Sequence, residues 1–253
     1  MQPFLQLTNI KLNYHNNEGE LPALNDINFS LKKNEFVAIV GPSGCGKTTI
    51  LSIISGILKQ SGGKVTLEGE EITTTTRKIG YMFQKDQLFG WRTIKQNVNL
   101  GLEICRDKSP ESKKFVDELL TKYGLADFMN KHPHELSGGM RQRVALIRTL
   151  ATKPKLLLLD EPFGALDYQT RQKVIDDVSS IIRNEKITSI LVTHDISEAV
   201  CMTDRIIVLS NRPATVRKII NVDLDKNLPP SKRKNVKEFT ELLNYVWKEL
   251  DSG

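Results

Sequence analysis

Gly41-Pro42-Ser43-Gly44-Cys45-Gly46-Lys47-Thr48 fits the spacing G-x-x-x-x-G-K-[ST] at every fixed position. These residue types suit one task, which is to cradle a chain of phosphates. Glycines at 41, 44 and 46 let successive backbone N–H groups turn inward with no Cβ atoms in the way. A helix starting here would aim its positive end at the same point. Lys47 brings a point charge for the β- and γ-phosphates, and the Thr48 hydroxyl suits Mg2+. Pro42, Ser43, Cys45 and Thr49 belong to the same binding segment. Because Cys45 lies inside the loop, alkylating its thiol is expected to inactivate, and bound nucleotide to protect. A glycine-rich turn with a surface lysine is the plain alternative, and the context argues against it. Phe36–Val40 is a short apolar run before the loop, and Thr49–Ile54 has helix-compatible spacing after it.

Further groups gain meaning from their order along the chain. Leu156-Leu157-Leu158-Leu159-Asp160-Glu161 is an apolar strand ending in two carboxylates. Asp160 there can hold Mg2+ opposite Thr48, and Glu161 can orient and polarise an attacking water as a general base. Two adjacent acids also commonly cap a surface helix, so the pair alone decides nothing. Ser137-Gly138-Gly139 opens a segment of good helix formers with a capping serine, an anion site without a lysine. Such a half-site can close over a triphosphate that another loop already grips. Gln84 follows the run Ile79–Phe83 and offers a neutral carbonyl for Mg2+ or water. His194 follows Leu191-Val192-Thr193 and can hydrogen-bond a γ-phosphate, and Asp167 closes the turn Gly164-Ala165-Leu166-Asp167 with an acid able to bridge to a partner.

The elements that must position these groups are legible in outline. Leu5–Leu12, Ile27–Leu31 and Lys64–Glu68 read as half-buried strands, an antiparallel flank. The runs at 36–40, 79–83, 156–159, 189–192 and 206–209 are continuously apolar, which suits a parallel sheet covered on both faces. Residues 87–153 change to helical periodicity, with Phe115, Leu119 and Leu120, then Val144, Ile147 and Arg148, recurring at helical spacing. The expected fold is therefore α/β: one domain over 1–253, with 1–86 and 154–210 as the nucleotide-binding lobe and 87–153 as an inserted helical lobe. Residues 211–253 read as a tail with a helix stripe of Phe239, Leu242, Leu243 and Val246.

Composition narrows the setting. A chain of 253 residues can bury a large core, and its 39% hydrophobic and 26% charged content is that of a soluble globular protein. No apolar stretch is long enough to span a bilayer, and the first residues lack the basic and apolar segments of a secretory signal. Cys45, Cys105 and Cys201 are odd in number and scattered, which argues against a disulfide framework or zinc site and for a reducing cytosol. The net charge of +6 includes late residues such as Lys226, Lys232, Arg233, Lys234 and Lys237. A solvated basic surface is the plain account, and a face toward anionic lipid is the functional one. No aromatic-studded RNA-binding signature accompanies the charge, so no nucleic-acid partner is expected.

Taken together, this order of motifs resembles the ATPase subunit of ATP-binding cassette (ABC) transporters. The resemblance covers the loop at 41–48, Gln84, the signature at 136–140, the strand and acids at 156–161, the turn at 164–167 and His194. Tyr14 stands where that family places an aromatic that stacks on adenine. Met140 replaces a common glutamine and Gly164 a common serine, both as in bacterial importers. Leu88-Phe89-Gly90-Trp91-Arg92-Thr93-Ile94 and Glu161–Asp167 look most like the nitrate/sulfonate/taurine branch, with importers of thiamine-precursor pyrimidines alike. Only Asn211–Gly253 follow the last strand read here, too little for the regulatory domain of maltose-type ATPases. The resemblance implies ATP and Mg2+ as ligands, with catalytic roles for Glu161, His194 and Gln84. It also implies a homodimer or a pairing with a similar ATPase, membrane permease subunits, and indirectly a solute-binding protein, at the cytoplasmic face of the cell membrane. A chromatin clamp of the same class would need a long coiled coil, and no sustained heptad run is present. A translation factor of the cassette type would carry two such loops, and one is present.

Overall fold

A five-residue strand buried at every position must be covered on both faces. The computed structural model describes residues 2–16 and 19–251, and three segments in it behave this way. In chain order, alternation first produces two long strands, β1 (Leu5–Asn16) and β2 (Gly19–Leu31), paired antiparallel with Leu5 opposite Leu31 and Leu7 opposite Phe29. The first fully buried strand, β3 (Phe36–Val40), leads through the glycine-rich loop into helix α1 (Lys47–Ile54). Strands β4 (Gly62–Leu67) and β5 (Glu70–Glu71) join the first two in a four-stranded antiparallel sheet of order β2-β1-β4-β5.

After β6 (Ile79–Met82) the chain turns helical, with α2 (Ile94–Val98), α3 (Leu100–Ile104), α4 (Pro110–Lys122) and α5 (Gly138–Leu150). Each of the longer two starts on a serine whose hydroxyl accepts a backbone N–H, Ser109 for α4 and Ser137 for α5. Then follow β7 (Leu156–Asp160), α6 (Tyr168–Asn184), β8 (Thr188–Val192), α7 (Ile196–Met202), β9 (Arg205–Leu209), β10 (Val216–Asn221), α8 (Pro230–Arg233) and α9 (Lys237–Asp251). The main sheet has the order β10-β9-β3-β8-β7-β6, parallel throughout except where β10 runs against β9.

Pleating sends alternate residues of the main sheet into two cores. Val37, Ile39, Leu156, Leu158 and Ile190 pack toward the antiparallel sheet and α1. Phe36, Ala38, Val40, Leu157 and Leu159 pack toward the helices, in one cluster with Ile94, Val98, Leu119 and Leu120. The helical segment at 87–153 is thus sealed onto the sheet. Phe239 and Val246 of α9 are buried in that same cluster, with Leu242 and Leu243 packed against it, which is the stripe that sequence spacing predicts. One element differs from expectation: Val216–Asn221 is an edge strand of the main sheet where the sequence suggests only tail. Arg217 and Lys218 interrupt its apolar pattern because an edge strand turns much of its length to water.

The strand order has a direct consequence for chemistry. Strands β3, β8, β7 and β6 are parallel neighbours, so their carboxyl ends stand side by side. Gly41 follows β3, His194 lies just beyond β8, Asp160 and Glu161 close β7, and Gln84 lies just beyond β6. Groups far apart in sequence are gathered at one rim, where open α/β sheets hold their ligands.

Candidate functional site

The loop after β3 has the backbone its glycines permit. Gly46 sits at φ +114°, and a Cβ there would stand 2.8 Å from Leu24 Cδ2, so both conformation and space require glycine. Lys47 is buried, and its ammonium donates to Gly41 O at 2.8 Å and Pro42 O at 2.9 Å. An ammonium has three protons, so the loop's own carbonyls fix the charge in place and leave one donor for a phosphate oxygen. Cys45 is different from expectation. Its thiol is only 2% exposed, points into the core beneath the loop, and is pushed above the usual thiol pKa by burial. The segment can use the Cys45 backbone, but the thiol is not available for the alkylation that sequence position suggests.

Asp160 at the end of β7 lies opposite Thr48. The Thr48 hydroxyl donates to Asp160 Oδ1 at 3.0 Å, and the Tyr81 hydroxyl donates to Oδ2 at 3.1 Å. Burial raises the Asp160 pKa, while the two hydroxyls oppose that rise. Tyr81 comes from β6 and belongs to no motif; only strand pairing brings it here. Thr48, Asp160 and nearby Gln84 are hard oxygen donors of the kind Mg2+ prefers. Among the described residues no cluster of three or more His, Cys, Asp or Glu could cage a metal alone. The donor set therefore fits an ion that arrives with phosphates and keeps few protein ligands.

Glu161 occupies a left-handed backbone at φ +45°, uncommon for a residue with a side chain. Its N–H donates to Val192 O at 2.9 Å, and its carbonyl accepts from Gly164 at 3.2 Å. Holding this conformation costs about 1–3 kcal/mol, and such strain clusters at functional positions. The side chain ends between two partners: Gln84 Nε2 donates to Glu161 Oε2 at 3.3 Å, and His194 Nδ1 lies 3.2 Å from the same oxygen. Three of the residues singled out by sequence order thus meet on one carboxylate oxygen.

Tyr14 stands beside the start of α1, its hydroxyl 3.2 Å from Thr49 Oγ1. The guanidinium of Arg212 lies 5.6 Å from the Tyr14 ring centre, a neighbour that sequence reading missed because it lies beyond the last predicted strand.

The remaining marked residues face elsewhere. Ser137 Oγ accepts the Met140 N–H at 3.3 Å, capping α5. Gly139 allows α5 to approach α6 closely, since a Cβ would meet Val174 Cγ2 at 2.6 Å. Among the described residues no hydrogen bond joins Ser137, Gly138 or Gly139 to the 41–48 loop. Ser137 and Gly139 line a separate surface hollow of about 300 Å³ with Thr170 and Lys173. Asp167 caps α6 by accepting the Thr170 N–H at 3.0 Å, and that backbone contact holds its pKa below the usual value. Two arginines of α5 reach the segment after Gln84. Arg141 Nε pairs with Asp86 Oδ2 at 3.0 Å while its Nη1 donates to Leu136 O, and Arg148 donates to Asp86 O and Gln87 O, both at 2.7 Å. Their helical spacing offered no sign of this.

Comparison with known proteins agrees with the geometry. The sequence matches the family model described as ABC transporter over residues 24–164. It is 45% identical over 251 residues to the uncharacterized ABC transporter ATP-binding protein YtlC of Bacillus subtilis (strain 168), covering 98% of this chain and 96% of that protein. It is 40% identical over 235 residues to the aliphatic sulfonates import ATP-binding protein SsuB of Bacillus cereus, covering 93% of this chain and 91% of that protein. Among solved structures, the dimeric post-hydrolysis state of the ATP-binding cassette MJ0796 bound to ADP and Pi superposes with a TM-score of 0.73 at 34% identity. That match covers 86% of this chain and 98% of the other.

Proposed function

Since the chain belongs to the ABC transporter family and is an ATPase of that kind, we propose that it is the hydrolytic subunit of a bacterial importer that works as a dimer closed by ATP. The observation that carries this reading is the convergence of Gln84 and His194 on Glu161 Oε2, one residue from the buried Asp160.

Each residue then has a part. Lys47 and the N–H groups of 41–49 hold the β- and γ-phosphates, with Tyr14 against the base. Thr48, Asp160 and Gln84 hold Mg2+, which when bound neutralises phosphate charge. Glu161 accepts a proton from the attacking water, and Gln84 and His194 fix the direction of its carboxylate. His194 also reaches the γ-phosphate. The half-site at Ser137-Gly138-Gly139 closes on nucleotide held by the second copy, which is the role that the hollow beside it and its separation from the 41–48 loop support. Asp167, at the turn before α6, bridges between copies. ATP thereby becomes part of the interface, and cleaving it weakens the attraction between the copies.

Force reaches membrane permease subunits through Leu88-Phe89-Gly90-Trp91. The Trp91 side chain is 75% exposed and stands with its ring 4.8 Å from that of Phe89, an anchor of the kind that dominates protein interfaces. In this reading separate subunits form the channel and this chain sits at its cytoplasmic face; among the described residues no helix is long and apolar enough to cross a membrane. The likeness to a sulfonate importer supports a small solute of the nitrate, sulfonate, taurine or pyrimidine kind, delivered by a solute-binding protein. Copurification from detergent-solubilised membranes, with the captured receptor tested against these solutes, checks that assignment. Replacing Glu161→Gln is expected to lower ATP turnover by at least about 100-fold with nucleotide binding retained; turnover at the normal rate contradicts the general-base role.

A further inference from the structure

Beneath the His194 loop lies a carboxylate that the reading above does not use. Glu198 of α7 is only 4% exposed, and its Oε2 accepts the Thr193 hydroxyl proton at 2.6 Å. The Thr193 oxygen in turn accepts the Asp195 N–H at 3.0 Å, so both of its hydrogen-bonding roles are assigned. Thr193 and Asp195 are the two residues flanking His194, whose Nδ1 stands 3.2 Å from Glu161 Oε2. The Arg171 charge on α6 favours the ionised form of Glu198, with no hydrogen bond or ion pair joining the two. The same guanidinium donates through Nη2 to Leu166 O at 2.9 Å, in the turn that ends at Asp167, while its Nε is buried with no hydrogen-bond partner. The charged and titratable groups around Glu198 are thus Arg171 on α6, His194 in the loop, Asp195 at the start of α7 and the buried Cys201 on α7 itself.

A buried carboxylate with one hydrogen bond is an expensive choice for packing. Burial pushes the Glu198 pKa up to about 7, and a glutamine of the same shape would accept the Thr193 hydroxyl at lower cost. The charge therefore needs an explanation other than cohesion. We propose that Glu198 is a positioning residue for ATP hydrolysis: its carboxylate holds the Thr193 hydroxyl in a charge-assisted hydrogen bond, and through it the loop that sets His194 beside Glu161. This deepens the role given to His194 above and rests on it, whereas the Glu161→Gln result stands or falls separately.

Steady-state ATPase assays of the full chain and its Glu198→Gln variant, on both sides of neutrality and with melting temperatures at each pH, test the proposal. The expected result is a kcat lower by about ten-fold with KM for ATP changed by less than about two-fold. The melting temperature should not fall. Wild-type kcat should rise as pH passes through about 7, and the variant should lack that rise. Thr193→Val, which removes the hydroxyl that Glu198 holds, should reproduce the loss of kcat, and it decides the matter in the same way if Glu198→Gln does not fold. Wild-type kcat and pH profile in the variant overturns the proposal. So does a loss of kcat matched by a loss of melting temperature, since that marks a purely structural residue.

Discussion

Placing a charge under the nucleotide, a strained glutamate beside it and a buried carboxylate behind it gives each residue a different measurable consequence. Lys47 is held by Gly41 O and Pro42 O, and Lys47→Ala removes the ammonium that these carbonyls fix in place. It should abolish binding of a fluorescent ATP analogue, and unchanged affinity contradicts the loop assignment. Cys45 should resist thiol reagents in the folded protein and react fully in denaturant; rapid labelling of the native chain contradicts the burial described. Glu198 has a folded pKa of about 7 against an ordinary value of 4.5, so the native state holds its proton more tightly than the unfolded chain. Between those values the contribution of Glu198 to stability falls as pH rises. Glu198→Gln should therefore gain melting temperature relative to wild type as pH climbs from 4.5 through about 7, and a constant difference contradicts this. The residues with fixed motif spacing were legible in the sequence because phosphate chemistry restricts their types. Tyr81, Arg171 and Glu198 were not, since a tyrosine in a strand and charges on a helix look the same whether they face water or a site.

At the scale of elements, four parallel strand ends do the gathering, and continuous apolarity announced every one of those strands. The edge strand β10 escaped because its basic residues, Arg217 and Lys218, break the pattern that burial imposes on its neighbours. The ties between α5 and the segment after Gln84 also escaped. Arg148 and Arg141 look like solvated helix charges, and only packing shows them anchoring Asp86 and Gln87 beside the apolar anchor at 88–91. Burial lowers the Arg148 pKa, and the guanidinium donates to two backbone carbonyls of this segment. Arg148→Ala should cost roughly 1–3 kcal/mol in urea unfolding. Amide exchange should also quicken at 84–91. Unchanged exchange there indicates that the arginine does not restrain the segment.

For the whole molecule, the decisive feature of the proposed site is that it is divided. The 41–48 loop, Asp160, Glu161, Gln84 and His194 converge on one rim, while Ser137 and Gly139 open onto a hollow with no hydrogen bond to that loop. The sequence offered both halves and, through the missing lysine at Ser137-Gly138-Gly139, the expectation that they act from different copies; how the helical segment docks on the sheet was not legible in it. Two copies must complete each other if both halves touch one nucleotide. Light scattering of Glu161→Gln with saturating MgATP tests this most directly. The account predicts a dimer that forms only with nucleotide and is lost when Ser137→Arg is added; a strict monomer, or a dimer indifferent to Ser137→Arg, contradicts it.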